Sequence, residues 1–314
     1  MQSRELGRTG LEVSGISLGA GQIASTGHGR VSEENAHSVL REFLENGGNF
    51  IDTARGYGES ERFIGDYLRR NNPPDNLVIA SKTWELDPAD IRLELEESLR
   101  LLGRDCIDLY YMHEPPVDPL AMDDVLETYE RLRREGKIRA VGASVKGANV
   151  TGDTVELCRR YIESGVVDVL MVIYSIFRQG MVAVFDEASK AGTGIVARTV
   201  LEDGFLTGKY APGDSFGHPD DPRGRWSAES LSSILEQAQE LKTWAIAPPC
   251  EDLAQVAIRF ALDEACISNV VLGARTPEQA RRGIRTASLP PLPPEIGRRL
   301  VAEFRGRDTE FNTG

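Results

Sequence analysis

Short apolar runs alternate with longer amphipathic runs along almost the whole chain. Glu33–Leu44 carries Ala36, Val39, Leu40, Phe43 and Leu44 at helical spacing, which predicts a helix that buries one face. Asn49–Asp52 and Leu77–Lys82 are short apolar runs and read as strands, as does Gly15–Leu18. Helical spacing returns at Ser60–Leu68 and again at Asp87–Leu102, where Ile91, Leu93, Leu95, Leu99 and Leu102 recur and Pro88 suits a first turn. Further strands are expected at Ile107–Tyr111, with its run continuing to His113, and at Ile138–Ser144, Val167–Tyr174, Gly194–Arg198 and Asn269–Leu272. The helices between them fall at Ala121–Glu135, ended by Gly136, and at Thr154–Ser164, Met181–Lys190, Leu231–Ala245, Asp252–Asp263 and Thr276–Arg285.

About eight strand-helix units follow one another with no linker and no shift in composition. Strict alternation implies a parallel sheet, and this number of units in 314 residues favours a closed (β/α)8 TIM barrel forming a single domain over 1–314. A doubly wound open sheet is the alternative, but no G-x-G-x-x-G follows the first strand. The opening segment, with L-G-R-T-G-L-E-V, predicts an N-terminal β-hairpin cap at the bottom of the barrel. Glu202–Trp226 is rich in Gly, Pro and Asp and reads as a long loop of the kind that often carries function. L-P-P-L-P-P-E-I leads into a final helix.

Charge narrows the partners. With 49 acidic and 36 basic side chains the formal net charge is -13, which argues against nucleic acid. The most apolar stretch, V-V-D-V-L-M-V-I-Y-S-I-F, carries Asp168 and is too short to span a membrane, and M-Q-S-R-E-L-G-R-T-G has no apolar core to serve as a signal peptide. Cys106, Cys158, Cys250 and Cys266 are scattered, so free thiols in a reducing cytoplasm are expected. His28, His37 and His218 lie away from the strand ends, and no H-x-H or H-E-x-x-H spacing occurs, so no metal site and no metal-dependent hydrolase is expected.

In a barrel of this kind the chemistry sits at the carboxyl ends of the strands. Asp52 ends one strand, Lys82 the next and His113 the one after, while Tyr57 lies on the Gly-flanked loop beyond Asp52 in N-F-I-D-T-A-R-G-Y-G-E-S-E. Singly, each has an ordinary reading: a turn cap for Asp52, a rim charge for Lys82, a core imidazole for His113, a loop packer for Tyr57. Jointly they suit reduction of a carbonyl by hydride. The oxygen needs a proton donor, a nearby ammonium favours the ionised form of a phenol, a carboxylate can hold that ammonium, and an imidazole can donate a hydrogen bond to the oxygen.

Aspartate, tyrosine, lysine and histidine in this order resemble the tetrad of the aldo-keto reductases, in particular bacterial members related to the potassium-channel beta-subunit-like and sugar and aldehyde reductase branches. G-K-I-R-A-V-G-A-S at Gly136–Ser144 is similar to the family's fifth-strand motif. F-L-T-G-K-Y at Phe205–Tyr210 is similar to its pyrophosphate-wrapping loop, and V-V-L-G-A-R-T-P-E-Q at Val270–Gln279 to its segment for the adenosine ribose and 2′-phosphate. The resemblance implies Asp52, Tyr57, Lys82 and His113 as catalytic residues, with Tyr57 as general acid. It implies cofactor contacts at Gly21, Gln22, Ser144, Met171 and Arg198 near the mouth, and at Leu201, Lys209, Gly273, Arg275 and Gln279 along the adenosine side. From the residues alone, Arg275 after the last strand and Lys209 in the loop are either phosphate ligands or surface charges.

Several positions depart from the family pattern. Val145 stands where asparagine is usual, Met171 where glutamine is, Arg198 where an aromatic stacks on nicotinamide, and Arg282 and Gly283 where Glu and Asn contact adenine. Arg198 should disfavour the oxidised, cationic nicotinamide, or else bind an anionic substrate group. The expectation is an NADPH-dependent reductase of aldehydes or ketones, sugars included, acting on small carbonyl molecules in the cytoplasm. The alternatives are an NAD-linked sugar or polyol dehydrogenase and a cofactor-binding sensor or regulatory subunit with little turnover. Gln22, Ile23, His28, Arg55 and Trp84 are expected as pocket walls.

Overall fold

A computed structural model describes residues 3–24, 31–115, 122–145, 150–216 and 221–311. Strands β1 (Ser3–Glu5) and β2 (Glu12–Ser14) form an antiparallel pair. The chain then runs through β3 (Ile16–Gly19), the single turn α1 (Gly21–Ala24), α2 (Glu33–Glu45), β4 (Phe50–Asp52), α3 (Ser60–Arg70), β5 (Val78–Thr83), α4 (Pro88–Leu102) and β6 (Ile107–His113). It continues with α5 (Asp123–Arg134), β7 (Ile138–Ser144), α6 (Gly152–Ser164), β8 (Val169–Ile173), α7 (Phe185–Ala191) and β9 (Gly194–Arg198). It closes with α8 (Ala228–Trp244), α9 (Leu253–Leu262), β10 (Ile267–Gly273), α10 (Pro277–Thr286) and α11 (Pro294–Phe304). Strands β3 to β10 form a closed, all-parallel barrel in chain order, with β10 pairing back onto β3. This is the (β/α)8 fold.

Local chemistry accounts for the element ends. Ser32 caps α2 by accepting from Asn35 N, and Glu33 and Glu34 sit in the first turn where the helix dipole favours negative charge. Asp87 caps α4 by accepting from Ala89 N and Asp90 N, Pro88 takes the first turn, and Gly103 ends the helix at φ +66°. The helix expected over Met181–Lys190 is split: Gly180–Val184 is a 3₁₀ turn, and α7 begins only at Phe185. The α1 turn, too short to carry a period, was not expected. Within the predicted loop, Glu202–Thr207 and Pro222–Arg225 form tight 3₁₀ turns.

The core has two compartments, set by the strict alternation of strand side chains. Leu18, Ile51, Ile79, Tyr110, Val141, Leu170, Ile195 and Val270 face outward and pack under the helices. Phe50, Val78, Ala80, Leu109, Tyr111, Ala140, Val169, Met171 and Val196 face inward and fill the barrel, and Leu6, Leu11 and Val13 of the hairpin close its lower end. Gly7 permits that closure, since a Cβ there would lie 2.3 Å from Gly194 N. Among the described residues no helix is long and apolar enough to cross a membrane. The four cysteines are free; Cys158 and Cys250 are buried, whereas Cys106 and Cys266 are half-buried.

Candidate active site

The inward-facing residues at the carboxyl ends of β4, β5 and β6 are Asp52, Lys82 and His113, and the strand register brings them together. Lys82 is fully buried. Its Nζ donates to Asp52 Oδ2 at 2.7 Å and to the Thr53 carbonyl at 2.7 Å. Burial pushes the Asp52 carboxyl upward, and the Lys82 ammonium opposes that shift. Its other oxygen, Oδ1, is buried with no hydrogen-bond partner among the described residues.

Tyr57 arrives from the loop between β4 and α3. The Lys82 ammonium lies 5.0 Å from its ring centroid, and the ring meets that of His113 edge-on at 5.8 Å and 84°. Gly21 makes room for this ring, since a Cβ there would lie 3.3 Å from Tyr57 Cδ2. The Trp84 indole stacks on His113 at 4.2 Å and 12°, and occupies space that a Cβ at Gly56 would need, 1.7 Å from its ring. Burial, Lys82 and Arg198 together push the His113 imidazole down to about 3, so it is neutral at ordinary pH, and its buried Nδ1 has no hydrogen-bond partner among the described residues. Sequence reasoning passed over Tyr111, whose ring lies 5.7 Å from the same ammonium beneath the site; its two-residue phase with Leu109 and His113 was the available signal.

A cleft of about 1070 Å³ runs from Gln22, Thr199 and Leu201 past Lys209 and Tyr210 to Gly273, Arg275 and Gln279. Asp52, Tyr57, Lys82 and His113 are not among its lining residues. Gln279 Oε1 accepts from Arg275 N at 2.8 Å, and Asn35 Nδ2 donates to the Arg275 carbonyl at 2.8 Å, so the turn bearing Arg275 is tied to α10 and α2. Gly273 keeps the strand end open to Gln22, whose Cγ would lie 2.4 Å from an added Cβ. Arg282, also in the cleft, is ion-paired with Asp252, the cap of α9.

The other expected positions are distributed as follows. Ser144 Oγ donates to Met171 Sδ at 3.5 Å, with both side chains buried at the end of β7 and within β8. Arg198 Nη2 donates to the Val145 carbonyl at 3.1 Å and Nη1 to Thr199 Oγ1 at 3.3 Å, leaving the guanidinium at the mouth beside His113. Of the expected walls, Gln22 lines the cleft and Trp84 is 48% exposed over His113. Ile23 is fully buried and belongs to the outer core, because α1 turns it beneath the helices. Arg55 points to Glu61 and Glu94. His28 lies outside the described residues. The unexpected feature is the backbone from Thr199 to Gly204, where Thr199, Glu202, Asp203 and Gly204 all have positive φ. Glu202 is wholly buried against Arg178, whose Nε donates at 3.0 Å.

The sequence model of the aldo/keto reductase family matches residues 15–301. The NADH-specific methylglyoxal reductase of Escherichia coli is 27% identical, with 92% of this chain and 94% of that protein aligned. Among solved structures, a glycerol dehydrogenase from Gluconobacter oxydans superposes with a TM-score of 0.80 at 24% identity, covering 96% of each chain. The holo form of an aldo-keto reductase from Bacillus halodurans does so with 0.77, also at 24% identity and 96% of each chain. With a closed eight-stranded barrel and a family match over nearly its full length, the chain belongs to the aldo/keto reductase family, oxidoreductases that act on carbonyls with a nicotinamide cofactor.

Proposed function

We propose that the protein is an NADPH-dependent reductase of small aldehydes or ketones in which Tyr57 delivers the proton to the carbonyl oxygen. The observation that supports this best is the fixed position of the Lys82 ammonium, held by Asp52 and Thr53 at 2.7 Å each and 5.0 Å from the Tyr57 ring. From there the buried ammonium can stabilise the negative charge that develops when Tyr57 gives up its proton. His113, neutral and at the mouth between Tyr57 and Trp84, is suited to donate a hydrogen bond that orients the carbonyl.

The residues present fit a nicotinamide dinucleotide. The cleft is large enough for an extended ligand, begins at Thr199, next in sequence to the mouth residue Arg198, and reaches Arg275, which lines it. The cofactor supplies the hydride. Arg275, aided by Lys209 at the rim, is the group we assign to the 2′-phosphate, because a guanidinium can clamp a phosphate through paired hydrogen bonds. An NADH-linked activity is the second reading. It is favoured by the name of the Escherichia coli relative and by the ion pair that already engages Arg282 with Asp252.

Titration of the purified protein with NADPH and NADH, followed by quenching of tryptophan fluorescence, separates the two readings. Tighter NADPH binding supports the first and tighter NADH binding the second; binding of neither removes both and favours a barrel without turnover. Consumption of the bound cofactor with methylglyoxal and with simple sugars as first probes, lost in Tyr57→Phe, tests the proton-donor role.

A further inference from the structure

Tyr57 differs from Asp52, Lys82 and His113 in one respect: it sits on a loop, so no strand register sets its position. Backbone bonds turn the loop, Tyr57 N donating to the Ala54 carbonyl at 3.0 Å and Ser60 N to the Tyr57 carbonyl at 3.1 Å, and side chains brace it. Thr53 Oγ1 donates to Ser60 Oγ at 2.8 Å across its base, and Ser60 Oγ donates to the Ala20 carbonyl at 3.1 Å. Arg55, two residues before Tyr57, has its backbone N on the Lys82 carbonyl at 3.0 Å. Its guanidinium reaches away from the mouth, with Nη1 donating to Glu61 Oε2 at 2.7 Å and Nε to Glu94 Oε2 at 2.8 Å. The second oxygen of Glu61 accepts from Ser81 Oγ at 2.6 Å, and Ser81 is the strand neighbour of Lys82. Glu61 is 1% exposed. One guanidinium and one buried carboxylate thus tie the Tyr57 loop to α3, to α4 and to the strand that carries the ammonium.

We propose that the Arg55–Glu61 pair, braced by Glu94, is a positioning clamp that holds Tyr57 against Lys82. The proposal rests on the reading of Tyr57 as proton donor. Misplacing a reacting group by about an ångström costs on the order of 10²-fold in rate, so a loop-borne donor needs such a device where a strand-borne one does not.

The test compares Arg55→Ala, Arg55→Lys, Glu61→Gln and Glu94→Gln in the full-length protein loaded with NADPH, using the carbonyl probe of the reductase assay. Glu94 is part-exposed, so Glu94→Gln remains folded even where loss of Arg55 strands the buried Glu61 charge. Arg55→Ala is expected to lower kcat by about 30-fold with KM values within about threefold, Arg55→Lys to restore part of it, and Glu94→Gln to cost about threefold. Added to Tyr57→Phe, Arg55→Ala should cost nothing more, because it acts through Tyr57. In protein carrying carbon-labelled tyrosine, the Tyr57 ring signal should shift and broaden in Arg55→Ala while that of Tyr129 does not. Unchanged kcat in folded Glu94→Gln together with an unchanged Tyr57 signal in Arg55→Ala overturns the clamp, as does an equal loss of rate in the Tyr57→Phe background. Full turnover by Tyr57→Phe overturns the proton-donor reading instead, and the ring signal still decides whether the clamp holds Tyr57.

Discussion

Asp52, Lys82 and His113 end adjacent strands and are 2%, 0% and 8% exposed, whereas Lys209 and Arg275 at the far side of the cleft sit on a loop and on the turn before α10 and face solvent wholly or in part. The first group is placed by sheet register, which repeats to a fraction of an ångström, and its charges are desolvated, so each demands a partner at close range. The second is placed by turns and acts through water, where a charge attracts at longer range but is screened. Between them runs Thr199–Gly204, a strained segment with four positive φ values, one of them at a glycine, seated on the buried Arg178–Glu202 pair. The contrast teaches a division of labour. On the proposed reading, the buried charges that support bond-making are entrusted to the sheet, and delivery of the proton and recognition of a long anionic ligand to loops.

The largest expected effect lies at the mouth, where the strand ends meet the loop that carries Tyr57. Tyr57→Phe should lower turnover by about 10²–10⁴-fold with the melting curve unchanged, as steady-state rates and circular dichroism would show. Lys82→Met should lose that activity too, and in addition roughly 3–5 kcal/mol of stability in urea unfolding, because Asp52 is left buried without its cation. A Lys82→Met protein as stable as wild type would break the contrast between desolvated and screened charges.

His113 gives a pH test of the same contrast. Its folded imidazole is held at about 3, below the ordinary value, so the unfolded chain binds the extra proton first. The contribution of this group is therefore at its best above the ordinary imidazole range and is lost as pH falls through it toward about 3. Trp84→Ala should let water reach the ring and raise its titration point, read by NMR, and reduce this acid sensitivity.

Smaller effects are expected across the cleft. Arg275→Ala should raise the Kd for NADPH by about tenfold and leave that for NADH within about twofold. Equal losses for both cofactors would remove the 2′-phosphate assignment. Smallest of all, Arg198→Gln should narrow the ratio of oxidised to reduced cofactor Kd by about threefold, since the guanidinium lies at the mouth and part of its charge is screened. An unchanged ratio would free Arg198 for a role toward an anionic substrate.

The sequence by itself determined the barrel, its order of elements and the three strand ends that meet at Asp52, Lys82 and His113. Those follow from periodicity: a strand's two-residue repeat states which side chains face inward, and closure of a parallel sheet brings inward residues of neighbouring strands to one mouth. Motif resemblance marked Tyr57 and Arg275 as well. Tertiary structure decided what no local pattern encodes. Arg55, expected at the pocket wall, turns away because two carboxylates, six and 39 residues further on, draw it there. Ile23 goes under the helices because a single turn after β3 rotates it. Arg282 meets Asp252 across two helices, and Trp84 covers His113 only because Gly56 leaves it room. Partners of this kind are distant in sequence and chosen by shape and charge once the barrel has closed, so only the folded chain selects them.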